Sequence, residues 1–219
     1  MTRGGEDLAR RLRLMVLTRP DPAAGTPGEV VEACLEAGAT AVQLRHKGAG
    51  GAELLREARE LLPLARRHGA LFLVDDRIDV ALAAGADGAH LGPEDVPLAA
   101  ARRVVPEDFV LGFSTDRPER ARRAAREGAD YLGVGAVYGT RSKAGLEEEA
   151  VGPARVGEVL EAAGLPGVGI GGIDPDNAGP VYRAGAGVAV LGAVMDAADP
   201  GRVVRRLLEA GTDARGPRS

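Results

Sequence analysis

Four times along the chain a helical stretch stops on nearly the same three residues and hands over to a short apolar run. The copies are Ala37-Gly38-Ala39, Ala84-Gly85-Ala86, Glu127-Gly128-Ala129 and Ala184-Gly185-Ala186, leading into residues 41–44, 88–91, 131–137 and 188–191. A Gly just past the last helical turn takes the left-handed conformation that ends a helix, so these are four copies of one helix-stop-strand unit. Residues 12–18, 70–74, 110–113 and 167–170 read as four further strands, making eight, with the first helix over 28–37 and the last over 201–210. Eight strands alternating with helices in 219 residues predict an α/β fold, a closed (β/α)8 barrel of the TIM type, in a single domain. The competing open doubly wound sheet would want a G-x-G-x-x-G after the first strand if it bound a dinucleotide, and none is there. Residues 1–10 read as a polar head, 11–210 as the barrel and 211–219 as a frayed polar tail.

Composition narrows the function classes. A formal net charge of -4 and 3% aromatic residues with no Trp provide neither a basic footprint nor stacking platforms, which argues against a nucleic-acid partner. No apolar run of about 18 residues and no leader pattern occur, so no membrane partner and a cytoplasmic location are expected. Cys34, the single cysteine, falls in a helical pattern and reads as a buried structural thiol.

A barrel builds its chemistry on the loops after its strands, so the strand ends carry the functional information. The second strand runs into Gln43-Leu44-Arg45-His46-Lys47, and alternation puts Gln43, Arg45 and Lys47 on one face. Of 28 Lys plus Arg only two are Lys, Lys47 and Lys143, and Gln43 is the only Gln. This suggests positions that need a compact ammonium; a solvated edge strand is the plainer alternative.

The third strand ends Asp75-Asp76-Arg77 and the fourth ends His90-Leu91-Gly92-Pro93-Glu94-Asp95. Asp76 and Asp95 are candidates to hold Mg2+, a hard cation that takes one or two carboxylates plus phosphate oxygens. Alternatively, Asp75 or Asp76 caps the helix starting near Ile78, and Glu94 and Asp95 are solvated turn residues. The fifth strand ends at Ser114-Thr115, with Asp116 read as an N-cap before Pro118. Thr140, Ser142 and Lys143 follow the sixth strand, Gly171-Gly172 the seventh, opening a helix that holds Asn177, and Leu191-Gly192 the eighth. Hydroxyls, backbone N–H groups and an ammonium are phosphate ligands. One metal-assisted anion site at strands 2 to 4 and one metal-free site at strands 6 to 8 are expected.

Taken together, Gln43-x-Arg45-x-Lys47, Asp75-Asp76-Arg77, Ala86-Asp87-Gly88-Ala89-His90-Leu91-Gly92-x-Glu94-Asp95, Leu111-Gly112-Phe113-Ser114, Gly133-Val134-Gly135 with Thr140-x-Ser142-Lys143, and Ile170-Gly171-Gly172-Ile173 resemble the successive motifs of the thiamine phosphate synthase family. The resemblance implies a transferase that joins hydroxymethylpyrimidine diphosphate to thiazole phosphate and releases pyrophosphate. It implies Asp76 and Asp95 on Mg2+, and Arg45, Lys47, Ser114 and Lys143 around the diphosphate. Gln43 would lie near the pyrimidine, with Thr140, Ser142, Gly171 and Gly172 on the thiazole phosphate. Asp75, Leu191 and Gly192 would complete the substrate site. The partners implied are phosphorylated small molecules, with self-association left open.

The chain departs from that family pattern in places. Asp75 stands where Asn is usual, Pro93 where Gln is usual, Asp116 where His is common, and Leu191-Gly192 replaces a frequent hydroxyl. A thiazole tautomerase, related by resemblance, would want a His near Asp116; a non-catalytic phosphate-binding relative would have lost the carboxylates or the two Lys. His68 reads as a helix-end residue and His90 as structural rather than catalytic.

Overall fold

The computed structural model describes residues 5–139 and 150–213. Eight strands, β1 (Leu14–Leu17), β2 (Ala41–Leu44), β3 (Leu71–Asp75), β4 (Gly88–Leu91), β5 (Val110–Ser114), β6 (Tyr131–Val134), β7 (Gly167–Ile170) and β8 (Gly187–Val190), close into a barrel in chain order. Every neighbouring pair is parallel, including β8 with β1. All eight C-terminal ends therefore lie on one rim.

The repeated junctions behave as their glycines require. Gly38, Gly85, Gly128 and Gly185 all have positive φ, between 71° and 103°. At three of them the next N–H reaches back to close the helix: Ala39 to the Cys34 carbonyl at 3.0 Å, Ala86 to Ala81 at 2.9 Å and Ala129 to Ala124 at 2.9 Å. That is the Schellman stop.

At Gly38, Gly85 and Gly128 the residue two further on then pins a neighbouring strand. Thr40 Oγ1 accepts the Leu14 N–H at 2.9 Å, Asp87 Oδ2 accepts that of Phe72 at 2.8 Å, and Asp130 Oδ2 accepts that of Leu111 at 2.8 Å. One short stretch of sequence thus ends a helix, starts a strand and anchors the strand beside it.

Two layers of apolar side chains follow from strand alternation. Inside the barrel Met15, Leu17, Leu71, Leu73, Tyr131 and Val168 pack together. Outside, β2 to β4 present Val42, Leu44, Phe72, Val74 and Leu91 to the helices. α3 (Gly51–Arg67) shows how a helix meets that layer: its buried residues Leu54, Ala58, Leu61, Leu62 and Ala65 fall on one 3.6-period stripe. Each fully buried Leu contributes about 1.5–3 kcal/mol relative to exposure. Cys34 is fully buried on α2 (Pro27–Glu36), and burial pushes its thiol pKa up to about 12.

Both chain ends depart from the sequence expectation. The polar head contains a helix, α1 (Gly5–Arg11), whose Leu8 joins Leu12 in the interior cluster at the N-terminal end of the barrel. The last helix, α10 (Pro200–Asp213), runs through Gly211. Gly211 is not a stop: a Cβ there would lie 2.9 Å from the Tyr182 ring, so the residue is small because the helix packs against that ring.

Candidate active site

At the C-terminal rim, β2 and the loop after it deliver an amide and two cations. Gln43 is buried and donates from Nε2 to Asp75 Oδ1 at 2.7 Å. The other oxygen of Asp75, Oδ2, faces Lys47 Nζ at 3.2 Å and Arg45 Nε at 3.8 Å. Lys47 also pairs with Asp76. Burial works against the Lys47 charge, but Asp76 and Asp75 more than offset it, and its pKa lies above the usual lysine value. His46 turns the other way, as strand alternation predicts, and bonds Glu57 of α3 at 2.8 Å.

The carboxylates are not spent on helix capping. α4 (Ile78–Ala84) begins after Arg77, with no side-chain cap. Asp76 sits at φ 61°, the one non-glycine among the described residues at positive φ, while its N–H bonds the His90 carbonyl at 2.8 Å. Asp and Asn are among the few side chains that tolerate this region, and the conformation aims Asp76 at Lys47 rather than along the helix.

Asp95 curls back so that Oδ2 accepts the Gly92 N–H at 2.6 Å. Burial, and then the adjacent Asp76 carboxylate, hold its pKa above the usual aspartate value. Two carboxylates crowded in this way repel each other unless a proton or a cation lies between them. Asp76 and Asp95 therefore offer hard oxygen ligands suited to Mg2+.

Ser114 closes β5 and points into the barrel, where its Oγ meets His90 Nε2 at 2.8 Å. His90 is buried, and its Nδ1 lies 2.8 Å from the Tyr131 hydroxyl. Burial pushes the imidazole pKa down. The sequence reads His90 as structural and does not single out Tyr131; the signal for the pair is the glycines opposite them, Gly112 and Gly133, which leave the ring its room. Asp116 is exposed and caps nothing. α6 (Pro118–Arg126) starts after Arg117, whose N–H is accepted by Thr115 Oγ1 at 3.2 Å.

Across the rim, Gly171 and Gly172 follow β7 with φ of 98° and 65°. A Cβ on Gly171 would lie 2.7 Å from Ala136 Cβ and one on Gly172 2.6 Å from the Gly139 carbonyl. The close approach these glycines permit is thus to the loop after β6. Asn177 holds the turn from its other side, donating from Nδ2 to the Gly172 carbonyl at 2.8 Å. It lies before the helix rather than in it, since α8 spans Gly179–Arg183. Leu191 and Gly192 follow β8 and lead into a single turn, α9 (Gly192–Met195). The loops after β7 and β8, with a short extra helix, are where barrels commonly take phosphate.

The structure thus gathers Gln43, Arg45, Lys47, Asp75, Asp76 and Asp95 into one cluster, with Ser114 on the same rim and Gly171, Gly172, Leu191 and Gly192 on the loops after β7 and β8. Thr140, Ser142 and Lys143 lie outside the described residues.

The chain and its barrel have counterparts among known proteins. The thiamine monophosphate synthase family model matches residues 14–194. The thiamine-phosphate synthase of Natronomonas pharaonis is 46% identical over 198 residues, 89% of this chain and 92% of that protein. The thiamine biosynthesis bifunctional protein ThiM/ThiE of Symbiobacterium thermophilum is 48% identical over 210 residues, 95% of this chain but only 43% of that longer protein. Among solved structures, thiamine phosphate pyrophosphorylase from Pyrococcus furiosus superposes with a TM-score of 0.86 at 38% identity, covering 95% of this chain and 100% of that one. With a family match over most of its length, relatives of nearly equal extent and a shared barrel, the chain belongs to the thiamine monophosphate synthase family.

Proposed function

We propose that this chain is a thiamine phosphate synthase, joining hydroxymethylpyrimidine diphosphate to thiazole phosphate with release of pyrophosphate by a Mg2+-assisted dissociative substitution. The observation that carries the reading is the convergence of Lys47, Asp75 and Asp76 beside Asp95, on the same rim as the glycine turn at Gly171 and Gly172.

The carbon–oxygen bond to the diphosphate breaks first, and its electron pair leaves on the bridging oxygen. The thiazole nitrogen then donates its lone pair to the pyrimidine methylene, forming the carbon–nitrogen bond. No general base is required, because that nitrogen carries no proton. What must be stabilised is a separating ion pair.

Arg45 and Lys47 would meet the negative charge as it develops, with Ser114 donating a hydrogen bond. Asp76 and Asp95 would hold Mg2+, which when bound supplies a Lewis acid that neutralises the departing pyrophosphate. Gln43, fixed by Asp75, would orient the pyrimidine. The backbone at Gly171, Gly172, Leu191 and Gly192 would bind the thiazole phosphate, and holding the nucleophile there supplies proximity. Lys143, Thr140 and Ser142 join these sets on the resemblance alone.

The scarcity of histidine fits chemistry that depends on electrostatics. A tautomerase reading is disfavoured, because the position where it would want a histidine holds Asp116, an exposed carboxylate. A non-catalytic binder is disfavoured by the retained carboxylates and Lys47. No helix of the described residues is long and apolar enough to cross a membrane; the small phosphorylated partners and the cytoplasmic location belong to the synthase reading itself.

The test is to incubate the chain with both phosphorylated substrates, with and without Mg2+, and assay thiamine phosphate and pyrophosphate. Both products should form in equal amounts and only with metal. No product under either condition would overturn the synthase reading, and product independent of metal would overturn the role of Asp76 and Asp95.

A further inference from the structure

Tyr131, His90 and Ser114 form a hydrogen-bonded chain that climbs from the interior of the barrel to its C-terminal rim. Tyr131 Oη lies 2.8 Å from His90 Nδ1, and His90 Nε2 lies 2.8 Å from Ser114 Oγ. Tyr131 is wholly buried, and among the described residues its hydroxyl meets no hydrogen-bond partner other than Nδ1. That isolation fixes where the protons sit. If Nδ1 carried a hydrogen, in the other neutral tautomer or in the cation, the buried Tyr131 hydroxyl hydrogen would face no acceptor, and such orphans are costly.

Tyr131 must therefore donate to Nδ1. A neutral imidazole has one N–H, which then sits on Nε2 and donates to Ser114 Oγ. Among the described residues Ser114 is left with its own hydroxyl hydrogen unspent.

We infer that His90, locked by Tyr131 as the Nε2–H tautomer, is a positioning residue that makes Ser114 a hydrogen-bond donor toward the departing diphosphate. In the opposite tautomer Ser114 would spend its hydrogen on Nε2 and turn only lone pairs toward an anion. The ring has little freedom to escape this arrangement: a Cβ on Gly112 would lie 2.4 Å from His90 Nδ1, and one on Gly133 3.0 Å from Cε1, so both facing walls are already in contact. The role of the serine rests on the synthase reading; the tautomer does not.

Two measurements test the relay. In protein carrying 15N-labelled histidine, two-bond 1H–15N spectra without substrate should show His90 protonated at Nε2 and bare at Nδ1, its signals assigned by their loss in His90→Asn. A proton on Nδ1 would overturn the inference whatever the enzyme does.

The second is a kinetic cycle. Ser114→Ala should lower kcat by about 10². Tyr131→Phe, which removes only the hydroxyl, should lower it by about 10-fold in the Ser114 protein and leave it unchanged when added to Ser114→Ala. Equal losses in both backgrounds would mark Tyr131 as packing and overturn the relay. Failure of the wild-type chain to form product would overturn the synthase reading alone, since the tautomer is read without turnover.

Discussion

Gln43 Nε2 donates to Asp75 Oδ1 at 2.7 Å across neighbouring strands, which turns the second carboxylate oxygen toward Lys47 and Arg45. The pair explains how a carboxylate is tolerated where the family usually has Asn. Asp75 faces both cations, and on the proposed synthase reading an arriving diphosphate would have to displace it from them.

Asp75→Asn tests this competition. The substitution keeps the acceptor for Gln43 and removes the charge. Ion pairs as exposed as that of Lys47 are worth about 0.2–1 kcal/mol, so KM for the pyrimidine diphosphate should fall by up to about 5-fold with kcat little changed. Steady-state kinetics decide; a rise in KM would show that Asp75 assists binding.

Asp95→Asn separates metal binding from stability. A raised aspartate pKa means that the folded chain binds the proton more tightly than the unfolded chain. That contribution favours folding in acid and is lost as pH rises past the ordinary aspartate value and through the raised one. Without metal, Asp95→Asn should therefore stabilise the protein at about pH 7 by up to about 1 kcal/mol, and the gain should vanish at about pH 3. Urea denaturation at the two pH values reads it directly. Mg2+ should raise the Tm of wild type and leave that of the variant unchanged.

Gly112→Ala probes how tightly the interior is filled. The added methyl would lie 2.2 Å from Tyr131 Cζ and 2.4 Å from His90 Nδ1. Overpacking of this kind costs about 1–3 kcal/mol, and here it also displaces the hydrogen-bonded ring. A lowered denaturation midpoint together with loss of activity is expected; an unchanged midpoint would mean that the interior has slack.

What could be read from the sequence follows from how local the signals are. The helix stops at Gly38, Gly85, Gly128 and Gly185 are set by one residue's backbone freedom, so they and the eight strands between them were legible, several to the residue. Asp76 and Asp95 could be paired because a parallel barrel brings every strand end to one rim. The helix Gly5–Arg11 was not legible, because so short a polar segment offers only Leu8 and Leu12, one turn apart, as its apolar signal. Thr26 and Glu29 form a capping box at the start of Pro27–Glu36, a local signal that sets this helix start one residue before Gly28. The chain from Tyr131 through His90 to Ser114 joins three strands, and no spacing along one strand records it.

Binding of pyrophosphate itself, followed by isothermal titration calorimetry with and without Mg2+, tests most directly whether these groups converge on one leaving group. Wild type should bind only when Mg2+ is present, and Lys47→Ala and Asp76→Asn should each weaken binding by about 10-fold or more. Affinity that is indifferent to the metal, or to both substitutions, would contradict the account.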